Sequence, residues 1–120
     1  MEKKILVVDD CETTRKLLSY IIRDKGYKII GASNGIEALE VMAANPVDLV
    51  VTDLNMPQMN GFELCRSLRE QAEYRELPII MITTESGEAD KRMGMEAGVT
   101  TYLSKPISPQ RLLYEIEKLL

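Results

Sequence analysis

Five short apolar runs, each followed by a helix-period pattern, leave this chain very few folds to adopt. The runs are residues 4–8, 28–32, 47–52, 79–83 and 101–103. They are apolar nearly without interruption, as strands covered on both faces are, whereas a half-exposed strand alternates. Between them the apolar spacing lengthens to that of a helix. Leu17, Leu18, Ile21 and Ile22 mark a first helix over 12–25, and Ile36, Ala38, Leu39, Val41 and Met42 mark a second. Phe62, Leu64, Cys65 and Leu68 mark a third over 61–71, and a weaker one is expected over 87–97. The last runs over 108–119 with Leu112, Leu113, Ile116 and Leu119 facing inward. Gly26 and Gly98 read as helix stops, and Asn45-Pro46 ends the second helix. Strands alternating with helices predict a parallel α/β sheet covered on both faces, and right-handed crossovers make it doubly wound. The 120 residues are expected to form one domain, 1–120, large enough to do without disulfides or structural zinc.

Doubly wound sheets carry their sites beyond the carboxyl ends of the strands. The sequence places its chemistry there. Asp9-Asp10 follow the first strand, Asp53 the third, Thr83 closes the fourth and Lys105 follows the fifth. Three carboxylates on one rim repel one another strongly unless a divalent cation sits among their oxygens. Asp10 taken alone would be a cap for the helix that opens beside it. Taken together with Asp53, it reads as a ligand.

Composition closes off several classes. The chain has no histidine, which excludes Ser-His-Asp and Cys-His catalysis and His-ligated zinc. Any phosphohistidine it meets belongs to another protein. Two cysteines, Cys11 and Cys65, make neither a metal set nor a disulfide framework, and are expected to be reduced, buried thiols. The net charge of −4 argues against direct nucleic-acid binding. Residues before Asp9 are too few for a signal-peptide core, and no apolar stretch approaches the ~20 residues of a membrane span. A cytoplasmic protein is expected.

In order along the chain stand Val7-Val8-Asp9-Asp10, Ala32-Ser33-Asn34-Gly35, Asp53-Leu54-Asn55-Met56-Pro57, Asn60-Gly61, Thr83, Glu96-Ala97-Gly98, Tyr102-Leu103 and Lys105-Pro106. This series resembles the receiver domains of two-component response regulators, over the whole chain. The resemblance implies a flavodoxin-like sheet with strand order 2-1-3-4-5. It also implies that Asp53 is the nucleophile and phosphorylation site, in a reaction that needs Mg2+. Asp10 and Asp53 would give carboxylate oxygens to the metal, Asn55 its backbone carbonyl, and Asp9 a contact through water. Thr83 would donate its hydroxyl to the phosphoryl group, and Lys105 would neutralise charge on Asp53 and then on the phosphoryl oxygens. In such domains the peptide bond before Pro106 is typically cis, and the aromatic at Tyr102 acts with Thr83 as a conformational switch. The partners implied are a sensor histidine kinase or a histidine phosphotransfer protein, and an output protein met by the last helix-strand-helix face. The product is a phosphoacceptor signalling module that catalyses its own phosphorylation and dephosphorylation, rather than an enzyme acting on other substrates.

Two aspects are individual to this chain. Thr84 stands where receivers usually carry alanine or glycine, so its methyl group is expected to narrow access to Asp53. Asn55 and Glu85 border the approach of water, and neither is bulky or cationic, so a short-lived phosphoryl mark is expected. Rival classes fit less well. A haloacid-dehalogenase-type phosphatase needs an acid where Asn55 stands. A flavodoxin-like cofactor site needs a phosphate loop where Asp9-Asp10-Cys11-Glu12 would repel one, and no Walker sequence occurs. A stand-alone chemotaxis- or phosphorelay-type receiver is expected; the receiver half of a longer transcriptional regulator is the alternative.

Overall fold

The computed structural model describes residues 2–84 and 87–120. Five strands, β1 (Lys4–Val8), β2 (Lys28–Ala32), β3 (Leu49–Asp53), β4 (Ile79–Thr83) and β5 (Thr101–Ser104), alternate with five helices. The helices are α1 (Glu12–Arg23), α2 (Gly35–Ala44), α3 (Gly61–Arg69), α4 (Glu88–Ala97) and α5 (Pro109–Leu119). The strands are all parallel, in the order β2-β1-β3-β4-β5. This is the doubly wound, flavodoxin-like arrangement expected from the sequence.

Successive strand residues face opposite sides, so the sheet splits the core in two. Leu6, Val8, Val50 and Met81 pack with α2, α3 and α4 through Ala38, Met42, Phe62, Leu68 and Ala97. Ile5, Val7, Val51, Ile80 and Ile82 pack with α1 and α5 through Leu18, Ile22, Leu112 and Ile116. Of the first helix's four expected core residues, Leu17 is instead 57% exposed. Neighbouring apolar residues on a helix diverge by about 100°, and only Leu18 and Ile22, four apart, share the buried stripe.

Element ends depart from the sequence reading by a residue or two. Helix α1 stops at Arg23, and Gly26, at φ 94°, closes the turn beyond it. Strand β3 begins at Leu49 because Asp48 turns aside: its N–H donates to the Lys4 carbonyl, and its carboxylate accepts the Lys4 N–H, both at 2.8 Å. Helix α3 stops at Arg69 and a short 3-10 turn, Ala72–Tyr74, follows. Arg69 braces this region. Its guanidinium donates to the Gly98 carbonyl at 2.8 and 3.0 Å and to the Tyr74 carbonyl at 2.7 Å. Gly98, at φ 95°, is the residue that ends α4. Among the described residues no helix is long and apolar enough to cross a membrane.

Candidate functional site

The site forms where strand order reverses, between β1 and β3. Their register sets Val8 opposite Thr52, so Asp9 and Asp53 leave the sheet side by side. Carboxylate oxygens of Asp9, Asp10 and Asp53 all lie within 4.8 Å of one another. Asp9 and Asp53 are 1% and 7% exposed, while Asp10 reaches solvent. Burial pushes both the Asp9 and the Asp53 carboxyls above the usual carboxylate range, and their neighbours' negative charge adds to the shift.

Each backbone segment here is pinned. The Asp9 N–H continues the ladder to the Ala32 carbonyl, and Asp9 Oδ1 accepts the Cys11 N–H at 2.8 Å. Cys11, not Asp10, occupies the cap position of α1, so the capping alternative for Asp10 is not realised. Cys11 is exposed rather than buried, because the helix start turns it away from the sheet. Cys65 is buried as expected. Asp9 Oδ2 is buried and, among the described residues, has no hydrogen-bond donor, so the ion pair with Lys105 leaves its hydrogen-bonding capacity unfilled.

Lys105 reaches in from the loop after β5. Its Nζ lies 3.1 Å from Asp53 Oδ1 and 3.9 Å from Asp9 Oδ2. The Lys105–Pro106 peptide bond is cis. Thr83 is fully buried at the end of β4, and its carbonyl accepts the Lys105 N–H at 2.8 Å. Tyr102, half-buried on β5, sets its ring against Gly94 of α4. Asn55, after β3, and Thr84, after β4, are exposed. Glu85 lies outside the described residues.

The loop after Asp53 folds back behind it. Gln58 adopts φ 70°, and the Gly61 N–H donates to the Leu54 carbonyl at 2.8 Å. A Cβ on Gly61 would stand 2.6 Å from the Asp53 carbonyl oxygen and 2.8 Å from Met81 Cε. Glycine is therefore required at 61 by close approach, a reason the helix-opening reading misses. Asn60 and Glu63 form a reciprocal capping box at the start of α3. The Asn-x-x-Glu spacing is its visible signal in the sequence. A cleft of about 880 Å³ between the end of α2 and the 3-10 turn lies at the opposite end of the sheet and contains none of these residues.

A doubly wound sheet with an acidic, lysine-flanked cluster at its switch point defines a phosphoacceptor signalling module. The chain belongs to the response regulator receiver domain family, whose model matches residues 5–117. It is 41% identical to the chemotaxis protein CheY1 of Helicobacter pylori, over 98% of this chain and 96% of that protein. It is also 41% identical to the Bacillus subtilis transcriptional regulatory protein PhoP, over all of this chain but only 49% of PhoP. Among solved structures, Vibrio cholerae CheY4 superposes with a TM-score of 0.95 at 37% identity, with both chains fully covered. The receiver domain of the Pseudomonas aeruginosa sensor kinase PA1611, crystallised with a magnesium ion in its active-site cleft, gives 0.90 at 25% identity, over 99% and 98% of the two chains.

Proposed function

We propose that Asp53 is the phosphoryl acceptor of this receiver and that Asp9, Asp10, Asp53 and the Asn55 carbonyl hold the Mg2+ its reaction needs. The observation that carries the reading is the buried, donor-less Asp9 Oδ2 inside a three-carboxylate cluster. Oxygen-only donors with an excess of negative charge suit a hard divalent cation. When bound, that ion neutralises phosphoryl oxygen charge.

The side chains do the rest. An Asp53 oxygen attacks the phosphorus of a partner's phosphohistidine; the phosphorus–nitrogen bond breaks, and the imidazole keeps its electron pair. Lys105, 3.1 Å from Asp53, holds a positive charge where the transferred oxygens arrive. Thr83 supplies a hydroxyl to one of them and moves toward it. Tyr102, against α4, follows that motion and passes the change to the α4–β5–α5 face, where the output protein docks. Reset is hydrolytic: water attacks phosphorus opposite the Asp53 oxygen, releasing phosphate and restoring the carboxylate. The donor is a sensor histidine kinase or phosphotransfer protein, since this chain has no histidine. We place the module in the cytoplasm, without direct nucleic-acid contact. A stand-alone chemotaxis-type role is preferred because CheY1 is matched along nearly its full length. The likeness to PhoP keeps the transcriptional alternative in play.

Incubation with acetyl phosphate and Mg2+ tests the assignment. One hydroxylamine-sensitive phosphoryl group per chain is expected, abolished by Asp53→Asn. Asp48→Asn, just before β3 and at its end away from the cluster, should leave labelling intact. Labelling that survives Asp53→Asn would overturn the assignment.

A further inference from the structure

We infer that Arg15 is a positioning residue for the cation site: it fixes the Asp9-Asp10 peptide so that both carboxylates converge on one ion. The inference rests on the magnesium reading above. Arg15 lies on α1, one turn beyond the acidic corner. Its Nη1 donates to the Asp9 backbone carbonyl at 2.7 Å. Its aliphatic stem lies over β2, with Cδ 3.5 Å from the position of a Cβ on Gly31.

With this bond, Asp9 is held at its N–H by Ala32, at Oδ1 by Cys11 and at its carbonyl by Arg15. Oδ2, paired with Lys105 at 3.9 Å but without a hydrogen-bond donor among the described residues, is the oxygen that faces the cluster. The carbonyl bond also sets the plane of the Asp9-Asp10 peptide, and with it the direction in which Asp10 leaves the strand. Magnesium demands near-ideal octahedral placement of its oxygens, so small errors in that direction reduce affinity. Arg15 touches no proposed ligand atom and acts through the backbone.

This role and a merely electrostatic one predict opposite signs. A nearby guanidinium opposes a second cation, so its removal should tighten magnesium binding if charge alone mattered. Loss of an orienting partner should weaken binding, typically by 10- to 100-fold. The experiment is calorimetric titration of the full chain with MgCl2 alone, comparing wild type, Arg15→Met, Arg15→Lys and Asp10→Asn. Arg15→Met should bind about tenfold more weakly, with Arg15→Lys, which retains a charged donor, between it and wild type. Equal or tighter binding by Arg15→Met overturns the inference and leaves the magnesium reading standing. If Arg15→Met does not fold, Arg15→Leu, also without a donor, replaces it, and binding as tight as wild type or tighter overturns the inference. If wild type itself takes up no magnesium, the metal reading fails and this inference with it; Asp10→Asn should show that behaviour.

Discussion

The backbone N–H of Lys105 donates to the carbonyl of Thr83 at 2.8 Å, tying together the two loops that flank Asp53 from β4 and β5. The ammonium group at 3.1 Å from Asp53 thus projects from a backbone anchored to the strand that carries the threonine. Removal of the charge should leave this anchor intact, because the bond is made by the main chain. Lys105→Met is expected to fold normally and to lose about 100-fold in phosphorylation rate, the effect of deleting one preorganised charge-stabilising group. Labelling kinetics with a saturating phosphodonor would show it. A rate within a few-fold of wild type would remove Lys105 from the mechanism.

Gly61→Ala should be costly although alanine favours helices. Its methyl would meet the Asp53 carbonyl and Met81 Cε at distances no carbon tolerates. Overpacking of this kind costs roughly 1–3 kcal/mol. Urea unfolding would measure it. Phosphorylation should fall as well, because the clash pushes on the backbone of Asp53 itself.

Burial raises the Asp9 carboxyl above its ordinary value of 3.8. A raised folded pKa means that the folded chain holds this proton more tightly than the unfolded one. The stability so gained is complete below the unfolded value and is lost as pH rises through the folded value. In magnesium-free buffer, wild type should therefore lose stability relative to Asp9→Asn over that window. At neutral pH Asp9→Asn should be the more stable. Unfolding curves from about pH 3 to about pH 7 would give the difference, and a flat difference would contradict it. Magnesium at about 100 times its dissociation constant should restore roughly 2.7 kcal/mol to wild type, and Asp10→Asn should lose that gain.

The lifetime of the phosphoryl group should respond to the two exposed flanks of the cluster. Asn55→Lys narrows the water's approach and should slow hydrolysis. Thr84→Ala removes a methyl from the rim and should speed it modestly. Phosphate release after donor removal, followed in both variants, decides the matter. A long-lived wild-type mark unchanged by Asn55→Lys would contradict the fast-reset expectation.

The strands and the cluster were legible because both follow from local pattern. Each strand is a largely apolar run, and the functional carboxylates stand at or just past the end of one: Asp9 and Asp10 after β1, Asp53 closing β3. What sequence alone missed depends on contacts made far along the chain. Strand β3 starts late because Asp48 answers Lys4, 44 residues away. Leu17 matches the apolar pattern of α1, yet nothing in the pattern tells which of two adjacent leucines meets the sheet. Arg69 carries no signal in the sequence, and its bonds to Gly98 appear only once α3 and α4 lie side by side. Gly61 was visible, but its reason, the Asp53 carbonyl behind it, was not.

That arginine also gives α4 the mechanics of a lever. Its grip on Gly98 fixes a fulcrum at one end of a ten-residue helix. At 1.5 Å per residue the arm is about 15 Å long, so a tilt of about 5° about the fulcrum sweeps the free end through roughly 1.3 Å. Tyr102 bears on Gly94, only four residues from that fulcrum. If Tyr102 is the switch proposed above, a small thrust there would be geared up along the arm, with the widest stroke at the Glu88 end of α4.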